Sequence, residues 1–440
     1  MAIHITSKEV PISTGRAREI IQSSIDKMGI FIDIDRCSEL IGMFKLIMRK
    51  MDLEAQNFVN DKSFTFSSKD RIVEQLIHAG VDASMLRTGK GSNAFSAQTR
   101  TALLNDPDTS EDVGHLIKLS EKYAAAYTRC NTLNNYMYLN RCIGVSKNKH
   151  RMSLVRPQWS ILNTGRIQTS NPNIQGIPRD CADIITEPPG YTLVRADSGQ
   201  IEPRINFSTF LRDELIMNLI QYYNDAYRGL LHYCLMSDEE LEACRSNFDM
   251  YFKPIEDNDD FKTRRQMLKR LTNAGTYGST NLENIDSRLA SAFEHRIQKH
   301  PARIAREREV VQQVNRGDTT FYGYFGTPVV PGETAKYDPT SDGWKNHVIR
   351  CGINNPVQTT ASELMLFSVN EANKILSEAE DSYICFYKHD EACFLVSDKD
   401  AANGFIERLG GVTAYNVDGW IPIDSDILVG VKEPAYPTYL

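Results

Sequence analysis

Three observations predict an α+β fold. The first is an apolar hairpin in which Tyr383-Ile384-Cys385-Phe386-Tyr387 and Ala392-Cys393-Phe394-Leu395-Val396 flank His389-Asp390-Glu391. The second is the strand-forming run Tyr191-Thr192-Leu193-Val194-Arg195-Ala196, which leads directly into Asp197. The third is a set of helical patterns, chiefly over residues 113–139, 263–278 and 360–376. With 440 residues, 41% hydrophobic and 24% charged, the chain can bury a large core and should divide into two or more subdomains. No apolar run is long enough to span a bilayer, and the first residues lack the apolar core of a signal peptide. The nine cysteines are scattered and form no CxxC pair, which favours a reducing compartment over a disulfide framework or a zinc site. A net charge of -7 argues against a generally basic surface but leaves room for a local basic patch that meets nucleic acid.

In chain order, a mildly amphipathic stretch starting at Ala17-Arg18-Glu19-Ile20-Ile21 ends at Gly29. Ile30 to Ile34 reads as a strand, and Asp35 is positioned to cap a helix from Cys37 to about Ala55. Asp33 and Asp35 also form an acid-x-acid pair, but too little chain precedes them for a nuclease domain. Ser67-Ser68-Lys69-Asp70 starts another helix, and Thr88-Gly89-Lys90-Gly91-Ser92 is a basic loop without the ending of a P-loop. Leu116, Leu119, Tyr123 and Tyr127 are spaced for one apolar helix face. A basic cluster, Lys147, Lys149, His150 and Arg151, precedes Thr164-Gly165-Arg166 and the amide-rich run from Gln168 to Pro178. That run should be extended and present hydrogen-bonding groups to phosphates, sugars or base edges. Residues 212–262 are helical and charge-rich, and the acidic run 256–260 reads as a solvated loop. An exposed helix carries Arg303, Arg306 and Arg308, and residues 319–330 suggest a hairpin. A polar stretch from Arg350 to Gln358 leads into the apolar helix 360–376. A helix near 401–409 and a strand over 421–429 close the chain.

The chemistry rests on three places. Adjacent carboxylates at the tip of an apolar hairpin need a positive partner, so Asp390 and Glu391 suggest a metal site; a solvated turn with Lys388 paired to Asp390 is the competing reading. Asp197, at the end of a buried strand, is either a second ligand or a helix cap. Arg265, Lys269, Asn273 and Tyr277 recur every four residues and share one slowly drifting helix face, suited to a polyphosphate. Together these are the parts of two-metal phosphoryl transfer.

These residues also carry a resemblance. Thr164-Gly165-Arg166 with Asn171-Pro172-Asn173-Ile174-Gln175-Gly176-Ile177-Pro178 resembles the TGR and PNLQNIP signature of the family A DNA polymerases, the group of bacterial polymerase I and the T7-like phage replicases. Asp197-Ser198-Gly199-Gln200-Ile201-Glu202 is similar to that family's motif A, Arg265, Lys269 and Tyr277-Gly278 to motif B, and His389-Asp390-Glu391 to motif C. Asn354-Asn355-Pro356-Val357-Gln358 resembles the element that precedes motif C. The resemblance implies a right-hand polymerase fold with an antiparallel-sheet palm, helical fingers and a helical thumb. Its segments would be an N-terminal extension over 1–30, the thumb region over 31–155, the first part of the palm over 156–210, the fingers over 211–345 and the second part of the palm over 346–440.

The implied function is a template-directed DNA polymerase that adds deoxynucleotides to a primer 3′ end, without a 3′-5′ exonuclease in the same chain. Asp197 and Asp390 would bind two Mg2+ ions, with Mn2+ able to substitute, and Glu391 would support them. Lys269 would serve the triphosphate and its leaving group. Arg265, Asn273, Tyr277, Gln200 and His389 would line the nucleotide site, and Glu202 would act with Tyr277 as the gate against a ribose 2′-OH. Arg166, Asn173, Gln175, Arg350, Asn354, Gln358 and His389 would contact DNA.

Implied partners are primer-template DNA and dNTPs, with a separate exonuclease or processivity factor left open. No membrane is implied, and the expected state is a monomer in the cytoplasm of a bacterium or of a phage-infected host. The sequence departs from the family at Asn273, where an aromatic is usual, at Pro203 and at Ser198. The alternatives are a single-subunit RNA polymerase, against which Glu202 and Glu391 argue, and a catalytically silent nucleic-acid-binding module.

Overall fold

The computed structural model describes residues 2–5, 19, 29–87, 95–106, 108–138, 142–277, 285–332, 338 and 341–431, with backbone alone at 97, 98, 138 and 274–277. The basic loop 88–92, most of the stretch 17–21, Gly278 and the Tyr277 side chain therefore lie outside the described residues. The chain divides into two compact units. One comprises Gly29–Pro157, Asn171–Pro189 and Val431–Leu440, the other Met1–Met28, Gln158–Ser170 and Gly190–Gly430. No described helix is long and apolar enough to cross a membrane.

The first of these units is built on two long helices, Ile34–Val59 and Glu111–Tyr138, that pack along one another. Leu40, Phe44, Ile47, Met51 and Ala55 recur at helical spacing and are buried, as are Val113, Leu116, Leu133 and Tyr136 from the second helix. The face expected through Leu116, Leu119, Tyr123 and Tyr127 does not stay buried. Leu116 and Leu119 are buried, but Tyr127 emerges 51% exposed, stacked on Tyr123. The cap of the first helix is Asp33 rather than Asp35: Asp33 accepts from the Arg36 N–H at 2.8 Å, while Asp35 accepts from Arg151. An antiparallel sheet completes the unit, ordered Gly144–Val145, Arg151–Val155, Ile30–Asp33 and Ile185–Thr186. Ile167–Ser170, at the start of the amide-rich run, is a strand of the other unit paired with Gln158–Ile161.

The other unit carries the hairpin. Its elements are strand β1 (Tyr191–Ser198), helices α1 (Ile201–Asn206), α2 (Ala226–Leu235), α3 (Asp259–Tyr277), α4 (Pro301–Asn315) and α5 (Asp342–Leu376), and strands β2 (Tyr383–Lys388), β3 (Glu391–Ser397) and β4 (Ser425–Val429). The strands form an antiparallel sheet in the order β2-β3-β1-β4. Because alternate residues face opposite sides of a sheet, Val194, Ala196, Ala392, Phe394 and Val396 face a core shared with Met365, Leu366 and Val369 of α5. The other face is left to Arg195, Asp197, Glu391 and Asp426. A second core, containing Leu219, Ile220, Leu230, Leu231, Leu268 and Phe293, holds the helices between β1 and α5 together.

Three expectations are corrected. The helix expected from 360 begins earlier: Arg350 to Gln358 already belongs to the 35-residue helix α5, which runs through Pro356. Asp259 and Asp260 are not loop residues but open α3, where negative charge meets the positive end of the helix dipole. The final strand begins at Ser425, since Pro422 lacks an N–H for the ladder and Ile423 instead bridges Tyr415.

Candidate active site

The carboxylates are brought together by strand register. Glu391 on β3 and Asp426 on β4 each lie directly opposite Asp197 on β1, so all three side chains share one face. Asp390 is fixed by the turn. Lys388 pairs with Glu391, which leaves His389 and Asp390 as a two-residue loop, and His389 takes a left-handed φ of 54°. That position in a tight hairpin is commonly glycine, so a histidine there stores strain in the loop. The Asp390 carbonyl accepts from the Ser198 N–H at 2.9 Å, tying the loop to the end of β1 beside Asp197.

Burial and the neighbouring charges of Asp390, Glu391 and Asp426 push the Asp197 pKa up to about 7. Burial likewise raises Asp390, against the pull of His389 and Arg166. Glu391 is held differently, by an ion pair with Arg195, which stands two residues before Asp197 on the same face. Two adjacent acids at the hairpin tip are therefore unequal: one is neutralised by arginine and the other is not.

Helix α3 presents its cations nearby. The Arg265 guanidinium and the Lys269 ammonium each lie 5.6 Å from the centre of the Tyr227 ring on α2. Tyr227 is buried, which carries its pKa up to about 12, with Arg265 acting against the rise and Asp225 and Asp390 adding to it. This ring is thus within electrostatic reach of both the cationic helix and the hairpin acid. Arg265 is paired with Asp225, which also caps α2 by accepting from the Tyr227 and Arg228 N–H groups. The Gln200 amide oxygen accepts from the Ala226 N–H at 2.7 Å, so this residue joins α1 to the start of α2.

Glu202 is ion-paired with Arg166. It lines a small cavity of ≈ 60 Å³ with Asn273, Asn354, Gln358, Phe210 and Arg306. Arg350, exposed, precedes Asn354 and Gln358 at four-residue steps along α5. His389 is pushed toward its neutral form by burial and by Arg166. Asn173 and Gln175 belong to the other unit, where the Asn173 side chain accepts from the Gly176 N–H and caps a short turn.

Sequence reasoning missed Arg195, Asp225, Tyr227 and Asp426. Arg195 had a legible signal, a charged residue at the period-two partner of Asp197 within an apolar strand. Asp225 could be read as a cap before Ala226. Nothing local marks Tyr227 or Asp426, whose roles come from α2 packing on α3 and from β4 adding to β1.

No family model and no curated protein matches this sequence. Among solved structures, the POL domain of Pol1 from M. smegmatis, in a complex with DNA primer-template and dNTP, is similar with a TM-score of 0.70 at 18% identity, over 95% of this chain and 70% of that one. The α+β architecture expected from the hairpin, the strand ending on Asp197 and the cationic helix is thus that of a polymerase domain, and this chain has the fold of such a domain.

Proposed function

We propose that the chain is a template-directed DNA polymerase of the family A type, with primer-template DNA and dNTPs as its substrates. The observation that carries this reading is the convergence of Asp197 and Asp390 at one end of a sheet, with Arg265 and Lys269 on a helix that shares Tyr227 with them. The likeness to a polymerase domain solved with DNA and dNTP supports the same reading. In its terms the sheet is the palm, the helices between β1 and α5 are the fingers, and the pair of long helices is the thumb.

The carboxylates suit a divalent cation. The Asp197 pKa is held near 7 by burial and by the neighbouring carboxylates of Asp390, Glu391 and Asp426, which outweigh the opposing pull of Arg195, and that excess of negative charge is what a bound ion relieves. Mg2+ is commonly held by one or two carboxylates with water and phosphate oxygens completing its shell, so Asp197 and Asp390 suffice as protein ligands. When bound, such ions activate the attacking hydroxyl and stabilise charge on the leaving oxygen. The primer 3′ hydroxyl gives up its proton to solvent water as its oxygen attacks the α-phosphorus, the bond from that phosphorus to the bridging oxygen breaks, and pyrophosphate departs. Arg265 exchanges its pairing with Asp225 for the triphosphate, and Lys269 gives a proton to the pyrophosphate. Glu202 crowds the sugar's 2′ position, with Arg166 fixing its carboxylate. Arg350, Asn354 and Gln358 offer hydrogen bonds to the duplex from α5.

Primer extension with Mg2+ tests the proposal. Asp390→Ala is expected to abolish extension while duplex binding, followed by fluorescence anisotropy, is retained. Extension near the unaltered rate in that variant refutes the assignment, and a preference for rNTPs over dNTPs would make the enzyme an RNA polymerase.

A further inference from the structure

A second cleft, of ≈ 500 Å³, opens on the helical part of the same unit and contains none of the catalytic residues proposed above. Its volume falls in the ~300–1,000 Å³ range of ligand sites. Two backbone irregularities border it. The Arg212 N–H donates to the Phe207 carbonyl and the Lys299 N–H to the Glu294 carbonyl, each reaching five residues back. These are π-helical turns, Phe207–Leu211 and Glu294–Gln298, a rare geometry that recurs at functional sites. Both deliver basic side chains to one cleft: Arg212 from the end of the first, His295, Arg296 and Lys299 from the second.

The inner wall is neutralised and rigid. Asp213, 7% exposed, accepts from the Ile216 N–H, Arg245 and His300. Arg296 clamps the Tyr233 and Met236 carbonyls at the end of α2 and pairs outward with Asp238. The rim is different. Arg212 is exposed, and among the described residues only its Nε is engaged, donating to the Thr209 carbonyl of its own turn. His295 has no polar partner among the described residues, and Lys299 meets only Glu294 at the surface. Four guanidinium or ammonium groups line the cleft against three carboxylates. Two of those carboxylates, Asp213 and Asp238, are already occupied by wall arginines.

We infer that this cleft is a binding site for a phosphate-bearing anion, gripped by Arg212, Lys299 and His295 at the rim. A guanidinium fork beside an ammonium matches the several acceptor oxygens of a phosphate. The phosphate belongs either to a free polyphosphate or to the backbone of a single nucleic-acid strand.

The test uses the full chain carrying Arg265→Ala and Lys269→Ala, which removes the cationic face of α3, with the unaltered chain titrated alongside. Loss of one site between these two reports on the α3 reading separately, since the cleft does not depend on it. In that background tripolyphosphate is expected to bind by calorimetry, and adding Arg212→Glu and Lys299→Glu should weaken it at least about ten-fold. Arg212→Gln with Lys299→Gln should give a smaller loss, and keeps the test readable if charge reversal disturbs folding. A parallel loss for a short single-stranded oligodeoxynucleotide assigns a nucleic-acid backbone; retained oligonucleotide binding assigns free polyphosphate. Tripolyphosphate binding equal in background and both rim variants overturns the inference.

Discussion

Arg195 and Glu391 sit on adjacent strands with little access to water, at 14% and 11% side-chain exposure. Removing only the arginine strands a buried carboxylate, and such a loss typically costs about 3–5 kcal/mol. Arg195→Met is therefore expected to lower the melting temperature more than Glu391→Gln, after which Arg195 still has Asp197 as an anionic neighbour. Asp197 behaves in the opposite sense. Its pKa near 7 means that a proton and a cation compete for it around neutrality. Mg2+ affinity, measured by titration at several pH values, should weaken by up to about ten-fold per unit below pH 7 and level off above it. On the proposed function Glu202 gates the sugar, so Glu202→Ala should raise ribonucleotide incorporation by roughly 10–200-fold, the range of a single steric discrimination, read in competition assays. Unchanged selectivity would put the gate elsewhere.

Among the elements, α2 depends on Gly229. A Cβ there would stand 2.7 Å from the Ile220 backbone nitrogen and 2.8 Å from its Cα, in the neighbouring helix Glu214–Tyr223. Backbone cannot move aside as a side-chain tip can, so Gly229→Ala should destabilise by about 1–3 kcal/mol, seen as a shifted urea midpoint. The sequence made the hairpin, β1 and α3 legible because their signals are local: apolar runs, a turn with special residues, a basic face at four-residue spacing. It misled where tertiary packing overrides a local rule. The polar stretch from Arg350 to Gln358 read as an approach to a helix starting at 360, yet Val348, Gly352, Val357 and Ala361 are buried along one continuous α5. Packing on both sides of the proline keeps the helix running despite the missing donor. Likewise Asp33 outcompeted Asp35 as a cap because Arg151, distant in sequence, takes the latter. The carboxylates could be suspected from composition, but the opposition of Glu391 and Asp426 to Asp197 across β3, β4 and β1 is a product of register that no single segment encodes.

At the scale of the molecule, buried groups of opposite sign shape how the unit containing Gly190–Gly430 responds to acid: Asp197, raised to about 7, adds stability as pH falls toward 4, while His232 and Asp213 take it away. Burial brings His232 down to about 4, with its Nδ1 2.8 Å from the Tyr223 hydroxyl. Its folded pKa lies below the unfolded value near 6.5, so the unfolded chain takes up the proton first. Its contribution is full above that pH and declines as pH falls from about 6.5 to 4, by about 3 kcal/mol in total. Asp213 acts later. Burial works to raise it, but His300, the Ile216 N–H and Arg245 outweigh that and bring it to about 2, so its contribution is kept above pH 4 and lost toward pH 2. Because Asp197 and His232 oppose each other in the upper window, the measurement is a difference: melting temperature followed against pH should lose less between about pH 6.5 and 4 in His232→Gln than in the unaltered chain, with the lower window the same in both. The chain also threads its units unequally. Strand Ile3–Ile5 pairs in parallel with Tyr415–Val417, and β4 completes its sheet only at residues 425–429. On a ribosome, the helices Ile34–Val59 and Glu111–Tyr138 emerge together and can dock while hundreds of residues remain untranslated. The sheet bearing Asp197 must instead wait until residues 391–397 and 425–429 have been made, with the apolar strand β1 held open meanwhile, so the unit most exposed to nascent-chain aggregation is the one that carries the proposed chemistry.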